Sequence, residues 1–341
     1  MKVCVAIIER NEKHYIERTL SSILSASKHL NADVYVIDGH STDGTIEFIR
    51  ERFLPLGVKI LLDENKGLGA AHNFALCRIP ADIIFFTFGD EYVSNQWISS
   101  ALRRLEDHEV GAVFGPSYIL NSQKLLEKYA DQKLKRYFSS LKLKPHFPYA
   151  AATNLAIKKD IALKVGGFRD DLIDADDSEF TFKVSKAGYK VVYEPNMIVY
   201  HQKANEGELR TLIRATMLVS FGYGQVAAMH GIKWHPICPI YALVLPTSLL
   251  WFILLFMQTL AAIYIALLVF TIVCNYFAFQ AIKYKSKVLL LGILIELTKL
   301  PFAGISFLLG YIYQKSRNRF PTFAYIIKKV FDQIRLKRRC N

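Results

Sequence analysis

Two features of the 341-residue sequence predict an α/β domain with a mixed, mostly parallel sheet flanked by helices, followed by C-terminal transmembrane helices. Over the first two hundred residues, short apolar runs alternate with segments of helical period. From Cys238 to Ile282 no side chain is charged.

Val3 to Ile8 is the first apolar run, and Tyr15 to Leu30 follows with helical spacing. Val34 to Ile37 is the second strand, closed by the turn residues Asp38-Gly39-His40-Ser41 and a helix from Thr45 to Phe53. Val58 to Leu62 is a strand, Gly69 to Arg78 a helix, and Ile83 to Phe88 a fourth strand. Strands separated by helices of this length pair in parallel, and ligands of such sheets lie beyond the carboxyl ends of the strands. A helix over Asn95–Asp107 and a strand over Val110–Phe114 come next. Asn121 to Pro148 has weak periodicity and reads as a loop, short helices or a solvated insertion. Ala150–Ile157, a helix to Val165, an acidic helix to Ala187 and Val191–Tyr193 complete a domain over residues 1–204.

Residues 205–236 read as an amphipathic connector. Pro239–Met257 and Thr259–Gln280 each have the roughly 20 apolar residues a crossing needs. Val288–Tyr313 contains Glu296, Lys299 and Pro301, which favours a re-entrant or interfacial helical pair bent near Pro301 over a third span. Glu296 and Lys299, three residues apart, are placed to pair. Residues 237–314 are thus the expected membrane domain and 315–341 a basic cytoplasmic tail.

The net charge of +13 is concentrated in Lys124–Lys144, Lys283–Lys287 and Lys315–Arg339. Beside apolar spans these clusters suit anionic membrane lipids rather than nucleic acid, and place the N-terminal domain on the cytoplasmic side. Met1 to Ile8 runs straight into Glu9 and Arg10, unlike a secretory leader. The five cysteines have no metal-type or CxxC spacing. No G-x-G-x-x-G follows the first strand, which disfavours a dinucleotide-dependent dehydrogenase.

Chemistry-bearing residues gather at the strand ends. They are Glu9-Arg10-Asn11-Glu12, then Val36-Ile37-Asp38 running through Ser41 and Asp43 to Thr45, then Asn65-Lys66-Gly67 with Asn73 six residues on. This ordered set resembles family 2 glycosyltransferases of the GT-A fold over about two-thirds of the chain. Asp38 alone is as consistent with an ordinary turn; in this company, a carboxylate accepting from a uracil imide or a ribose hydroxyl is the stronger reading. Asp43 is the expected N-cap of the next helix, and Gly67 and Gly69 allow close backbone approach to a ligand. The resemblance implies a nucleotide-sugar donor contacted by Glu9, Asn11, Glu12, Asp38, Lys66, Gly67 and Asp90.

The family carries D-x-D after the fourth strand, its carboxylates serving a divalent cation and the ribose. Here the sequence is Phe88-Gly89-Asp90, so one carboxylate is missing, and Glu91 is the candidate substitute. Asp90 remains as a ligand for Mn²⁺ or Mg²⁺, with His201 as the second metal or diphosphate contact that some relatives have. Gly166-Gly167-Phe168 and Asp176-Asp177-Ser178-Glu179, with Lys183 where the family often has Arg, resemble its acceptor-side stretch. By that likeness Asp177 is the general base, while Thr153, Asn154 and Asp176 line the sugar or acceptor pocket. A Q-x-x-R-W motif is absent from Leu209–Gln225, which favours single addition over polymerisation.

The expected activity is inverting, metal-dependent transfer of one sugar to a hydroxyl of a lipid-linked or membrane-proximal glycan. A polyprenyl- or dolichyl-phosphate sugar synthase is the enzymatic alternative. A non-catalytic membrane scaffold with a retained nucleotide-binding fold is the alternative outside enzymes, prompted by Phe88.

Overall fold

The computed structural model describes residues 1–339 except 65, 121, 142–145, 203–207, 244–270, 272–274, 276–291 and 319. Two compact units emerge: one of residues 1–122, 134–171 and 176–204, the other of residues 123–133, 172–175 and 205–341.

The elements of the first unit run β1 (Val3–Glu9), α1 (Ile16–Ser27), β2 (Asp33–Asp38), α2 (Thr45–Arg52), β3 (Lys59–Leu62), α3 (Leu68–Arg78), β4 (Ile83–Phe88), β5 (Glu91–Val93), α4 (Trp97–Leu105), β6 (Val110–Phe114) and β7 (Ser117–Ile119). Then follow α5 (Leu125–Leu141), which also contributes residues to the second unit, β8 (Leu155–Lys158), α6 (Lys159–Lys164), α7 (Asp176–Lys186), β9 (Lys190–Tyr193) and β10 (Val199–His201).

Seven strands form one sheet in the order β3-β2-β1-β4-β8-β6-β9. All neighbours are parallel except β8, which lies antiparallel between β4 and β6. The continuous apolar run of β1 is buried along its whole length, as a central strand covered on both faces requires. Its side chains divide with period two. Cys4, Ala6 and Ile8 enter the core layer shared with α3 and α7, whereas Val3, Val5 and Ile7 enter the layer shared with α1 and α4. The register sets Glu9 opposite Asp38 on one side and Ile8 opposite Phe88 on the other. Three strand ends therefore finish at one level.

A second sheet of three short strands, β5-β10-β7, pairs His201 with Glu91. Asn121–Pro148 departs from the loop or short-helix expectation, because Leu125–Leu141 is one 17-residue helix. Phe138 and Leu141 bury in the core, with Leu134 packed against it, at helical spacing that the surrounding lysines obscure in sequence.

The second unit contains α8 (Leu209–His230), α9 (Gly292–Ser316) and α10 (Pro321–Arg339). Ile173, Leu218, Phe221, Tyr313, Ile327 and Phe331 form its buried cluster. Helices α8 and α9 approach so closely that a Cβ added at Gly224 would lie 2.0 Å from the Phe307 carbonyl oxygen, and one at Gly310 would lie 2.0 Å from that of Phe221. Helix α9 runs as one element through Pro301. Glu296 accepts from Tyr129 Oη at 2.9 Å and from Lys133 Nζ at 2.6 Å, with the expected Lys299 partner at 3.4 Å. Among the described residues no helix is long and apolar enough to cross a membrane. The two expected spans, residues 239–257 and 259–280, lie outside the described residues apart from 239–243, 271 and 275.

The glycine contact yields a test. Gly310→Ala forces a methyl group into the Phe221 carbonyl and should cost ~1–3 kcal/mol through overpacking. A lowered thermal midpoint of the full chain is expected; an unchanged midpoint would show that the two helices do not depend on this approach.

Candidate active site

The β1–α1 and β2–α2 loops are sewn together by side chains that each accept from the other loop's backbone. Asn11 N–H donates to Ser41 Oγ at 2.8 Å, and Thr42 N–H donates to Asn11 Oδ1 at 2.7 Å. Glu12 N–H donates to Thr45 Oγ1 at 3.1 Å, and Lys13 N–H to Asp43 Oδ2 at 3.2 Å. Asn11 has φ +59° and His40 φ +61°, a left-handed turn geometry that asparagine tolerates better than most residues.

Asp38, fully buried at the end of β2, accepts from Ser41 N–H at 3.0 Å and from the Ser41 hydroxyl at 2.5 Å. The same hydroxyl lies 3.4 Å from Glu9 Oε2. Glu9 is also buried, and its Oε1 has no hydrogen-bond partner. Burial, the hydrogen bond to Asp38 and the nearby carboxylates push the Glu9 carboxyl up to about 10, so it keeps its proton at neutral pH. The protonated Glu9 carboxyl thus lies beside that of Asp38, and it can donate a hydrogen bond to a ligand.

Asp43 departs from its expected capping place. Gly44, at φ +86°, is the N-cap of α2, because the chain enters the helix through a left-handed turn. Asp43, one residue earlier, instead accepts from Thr45 N–H at 3.0 Å and Thr45 Oγ1 at 2.5 Å.

The end of β4 packs against that of β1. A Cβ on Gly89 would lie 2.6 Å from Glu9 Cβ and 3.1 Å from Glu12 Cγ, so only glycine fits between Phe88 and Asp90. Phe88 is directed to the ring of His72, at 6.3 Å between centroids. Glu91 does not replace the missing carboxylate. It is fully buried, accepting from the Thr87 hydroxyl and from Phe88 N–H at 3.1 Å. Its Oε1 lies 3.3 Å from His201 Nδ1. Burial raises Glu91 to about 7, with His201 opposing and Asp90 adding to the rise.

Asp90 and His201 are brought together by the small sheet, since Gln202 N–H donates to the Asp90 carbonyl at 2.9 Å and His201 pairs with Glu91. Glu91 facing Nδ1 leaves Nε2 as the ring nitrogen available to a ligand. Among the described residues no group of three His, Cys, Asp or Glu side chains could hold a metal ion alone. One carboxylate and one imidazole fit a Mn²⁺ or Mg²⁺ completed by ligand oxygens, and do not fit a closed protein cage.

The other side of the site comes from α3, α6 and α7. Asn73 Nδ2 donates to the Phe168 carbonyl at 2.7 Å and its Oδ1 accepts from Phe168 N–H at 2.8 Å. Lys183 donates to the Gly167 carbonyl at 2.8 Å. The last two residues of the Gly-Gly-Phe turn are thereby fixed, with Phe168 stacked between His72 and Phe180 at 4.4 and 4.0 Å. His72 carries no signal in the sequence beyond its place in the Ala71-His72-Asn73 run. It is fully buried, held near 4 by desolvation and so neutral, and lies 3.8 Å from Asp176 Oδ2. Asp177, half-buried in the first turn of α7, accepts from Ala152 N–H at 3.2 Å and from Ser178 N–H at 2.6 Å. Thr153, next to Ala152, is half-buried near Ser117 at 3.4 Å.

Two expected contacts, those of Asn154 and Gly69, are replaced by contacts within the fold. Asn154 lines no sugar pocket, because its amide is consumed inside the fold. Its Oδ1 accepts from Trp97 Nε1 at 2.8 Å, and its Nδ2 donates to the Pro116 and Met197 carbonyls at 3.1 and 2.7 Å. Gly69 approaches its own chain, as an added Cβ would lie 2.3 Å from the Arg169 carbonyl oxygen. Lys66 is exposed and pairs with Glu64. Gly67, at φ +124°, opens α3, and Asn65 lies outside the described residues.

Residues 4–166 match the family described as "Glycosyl transferase family 2". The chain is 27% identical over 215 residues to glycosyltransferase AglE of Haloferax volcanii, covering 61% of this chain and 69% of AglE. It is 26% identical over 233 residues to the succinoglycan biosynthesis protein ExoA of Rhizobium meliloti, covering 65% and 68%. The mannosyltransferase PcManGT from Pyrobaculum calidifontis, solved in complex with GDP-Man and Mn²⁺, superposes with a TM-score of 0.60 at 19% identity, covering 92% of this chain and 88% of that one.

The protonated Glu9 gives a pH test. An unfolded glutamate titrates near 4.5 and the folded one near 10, so between these values the folded state holds the extra proton. Stability contributed by this group is therefore full below 4.5 and falls as pH rises toward 10. Glu9→Gln has no such slope. Its thermal midpoint relative to the unaltered chain should climb steadily between pH 5 and pH 9; a constant difference would show that Glu9 is ionised in the fold.

Proposed function

We propose that this chain is a glycosyl transferase of family 2, the family that its residues 4–166 match, and that on its GT-A fold it carries out one specific reaction. It is the inverting, divalent-cation-dependent transfer of one sugar from a nucleotide-sugar donor to a hydroxyl of a lipid-linked or membrane-proximal glycan. The observation that carries this reading is Asp177, half-buried in the first turn of α7 and tethered by Ala152 N–H beside Thr153. The carboxyl-lined ends of β1 and β2 belong to the same unit. The Mn²⁺ and GDP-mannose of PcManGT, and the glycan pathway named for ExoA, support the same class of donor and product.

On this reading the nucleoside end of the donor meets Asp38 and Glu9, which between them accept and donate hydrogen bonds, while Asn11, Glu12, Lys66 and Gly67 border it. Asp90 and His201 would hold the cation, which would supply positive charge to the leaving diphosphate. Asp177 accepts the proton of the acceptor hydroxyl as that oxygen bonds to the anomeric carbon, and the bond from that carbon to the diphosphate oxygen breaks on the opposite face. Thr153 and Asp176 flank the acceptor. A phosphate acceptor is already anionic and needs no such base, so a positioned Asp177 favours a hydroxyl. The uncharged stretch 238–282 and its basic flank support a reaction at the cytoplasmic face of a membrane.

The direct test offers nucleotide sugars with Mn²⁺ and a membrane glycolipid extract to the full chain and reads the product's anomeric configuration by NMR. A single added sugar of inverted configuration is expected; a retained configuration, or no transfer from any donor, would refute the proposal.

Two variants divide the roles. Asp177→Asn cannot take a proton and should lower turnover ~10²–10⁴-fold with donor affinity nearly unchanged, the mark of an interaction made only in the transition state. Wild-type turnover would move the base elsewhere and bring a phosphate acceptor forward. Asp90→Ala should abolish the Mn²⁺-dependent part of UDP or GDP affinity; if that part persists, the cation is bound by other residues.

A further inference from the structure

The second unit carries a groove that the transfer reaction does not use. It lies between α8 and α10, with a volume of about 550 Å³, within the range of small-molecule sites. Leu209, Ile213 and Met217 of α8 and Ile334 of α10 give it apolar walls. Arg210 and Arg214, one helical turn apart on α8, line the same groove. Neither guanidinium forms an ion pair with a carboxylate among the described residues.

An apolar trough beside two guanidinium groups that no described carboxylate pairs asks for a ligand that is an anion at one end and hydrocarbon at the other. Guanidinium forks match phosphate oxygens in geometry and charge. Helix α10 has the same dual character. Tyr325, Ile326 and Val330 are 63%, 56% and 51% exposed, and Phe320, just before the helix, is 64% exposed. Lys328 and Lys329 stand exposed among them, and Asp332 is the helix's single acidic residue. Exposed apolar groups interleaved with lysines are the composition of a helix lying in a membrane interface. Nucleic acid would use the charge and leave the apolar walls bare.

We propose that this groove is a binding site for an anionic phospholipid of the bilayer surface. Its phosphate is held by Arg210 and Arg214, and the first part of an acyl chain lies along Ile213, Met217 and Ile334. The proposal is independent of the sugar-transfer reading, since none of these residues belongs to the first unit.

The experiment uses the full chain in phosphatidylcholine nanodiscs doped with a trace of photo-crosslinkable phosphatidylglycerol or of the matching phosphatidylcholine probe, each with its reactive group near the head end of the acyl chain. Mass spectrometry then locates the adducts. Labelling by the phosphatidylglycerol probe at the Ile213–Met217 stretch or at Ile334 should exceed that by the phosphatidylcholine probe by about fivefold for each arginine engaged. The double variant Arg210→Gln/Arg214→Gln should lose the excess, and Arg210→Lys/Arg214→Lys should keep part of it. Equal labelling of the unaltered chain by the two probes would overturn the proposal without recourse to any variant. So would displacement of the probe by an isoprenyl phosphate but not by excess unlabelled phosphatidylglycerol, which would make the groove an acceptor site instead.

Discussion

Two carboxyl groups buried side by side at the ends of adjacent parallel strands constrain the rest of the catalytic unit. Glu9 and Asp38 are partners in the β1–β2 register, and both are buried. Two ionised carboxylates in that position would repel strongly, so one keeps its proton and the Ser41 hydroxyl lies between them. Keeping Ser41 there requires the turn after β2 to fold back over Asp38. That turn is in turn held by Asn11 and by the Asp43–Thr45 pair. The strain of two left-handed non-glycine residues, Asn11 and His40, falls on the same loops. Gly89 then has to be glycine, because β4 ends against the Glu9 and Glu12 side chains. Polar burial, loop geometry and the modified D-x-D position are one connected problem.

The alternation of apolar runs and helical segments predicted the parallel core well, because β1, β2 and β4 are buried on both faces and leave no other pattern open. The strand-end motifs were legible for the same reason: parallel topology brings the carboxyl ends together whatever the loops do. Side-chain direction was not legible. Asn154 and Asn73 sit in motifs associated with ligand contact, yet each spends its amide holding backbone in place. Glu91 follows Asp90 directly, but alternation along β5 turns it inward beneath His201, where it orients rather than binds. Helix α5 was hidden because lysines dilute its apolar stripe, and Gly44 displaced Asp43 as the cap through a left-handed turn that no propensity scale encodes.

The same distinction separates the proposed roles of the two units. The first is organised around buried carboxyls and a tethered Asp177, a design suited to polar, anionic donors and a proton transfer. The second is organised around close helix contacts at Gly224 and Gly310 and an arginine-lined apolar groove, a design suited to an amphiphilic surface. The proposed transfer from a water-soluble donor to a membrane-held glycan would use both kinds of surface.

In the proposed reaction the ends of β1, β2 and β4 form the nucleotide-sugar site. Hydrogen–deuterium exchange of the full chain with and without Mn²⁺ and a panel of nucleoside diphosphate sugars tests it most directly. For at least one donor, slowed exchange is expected, confined to residues 9–13, 38–45 and 88–91 and dependent on the cation. Protection located only in α8 to α10, or none with any donor, would contradict it.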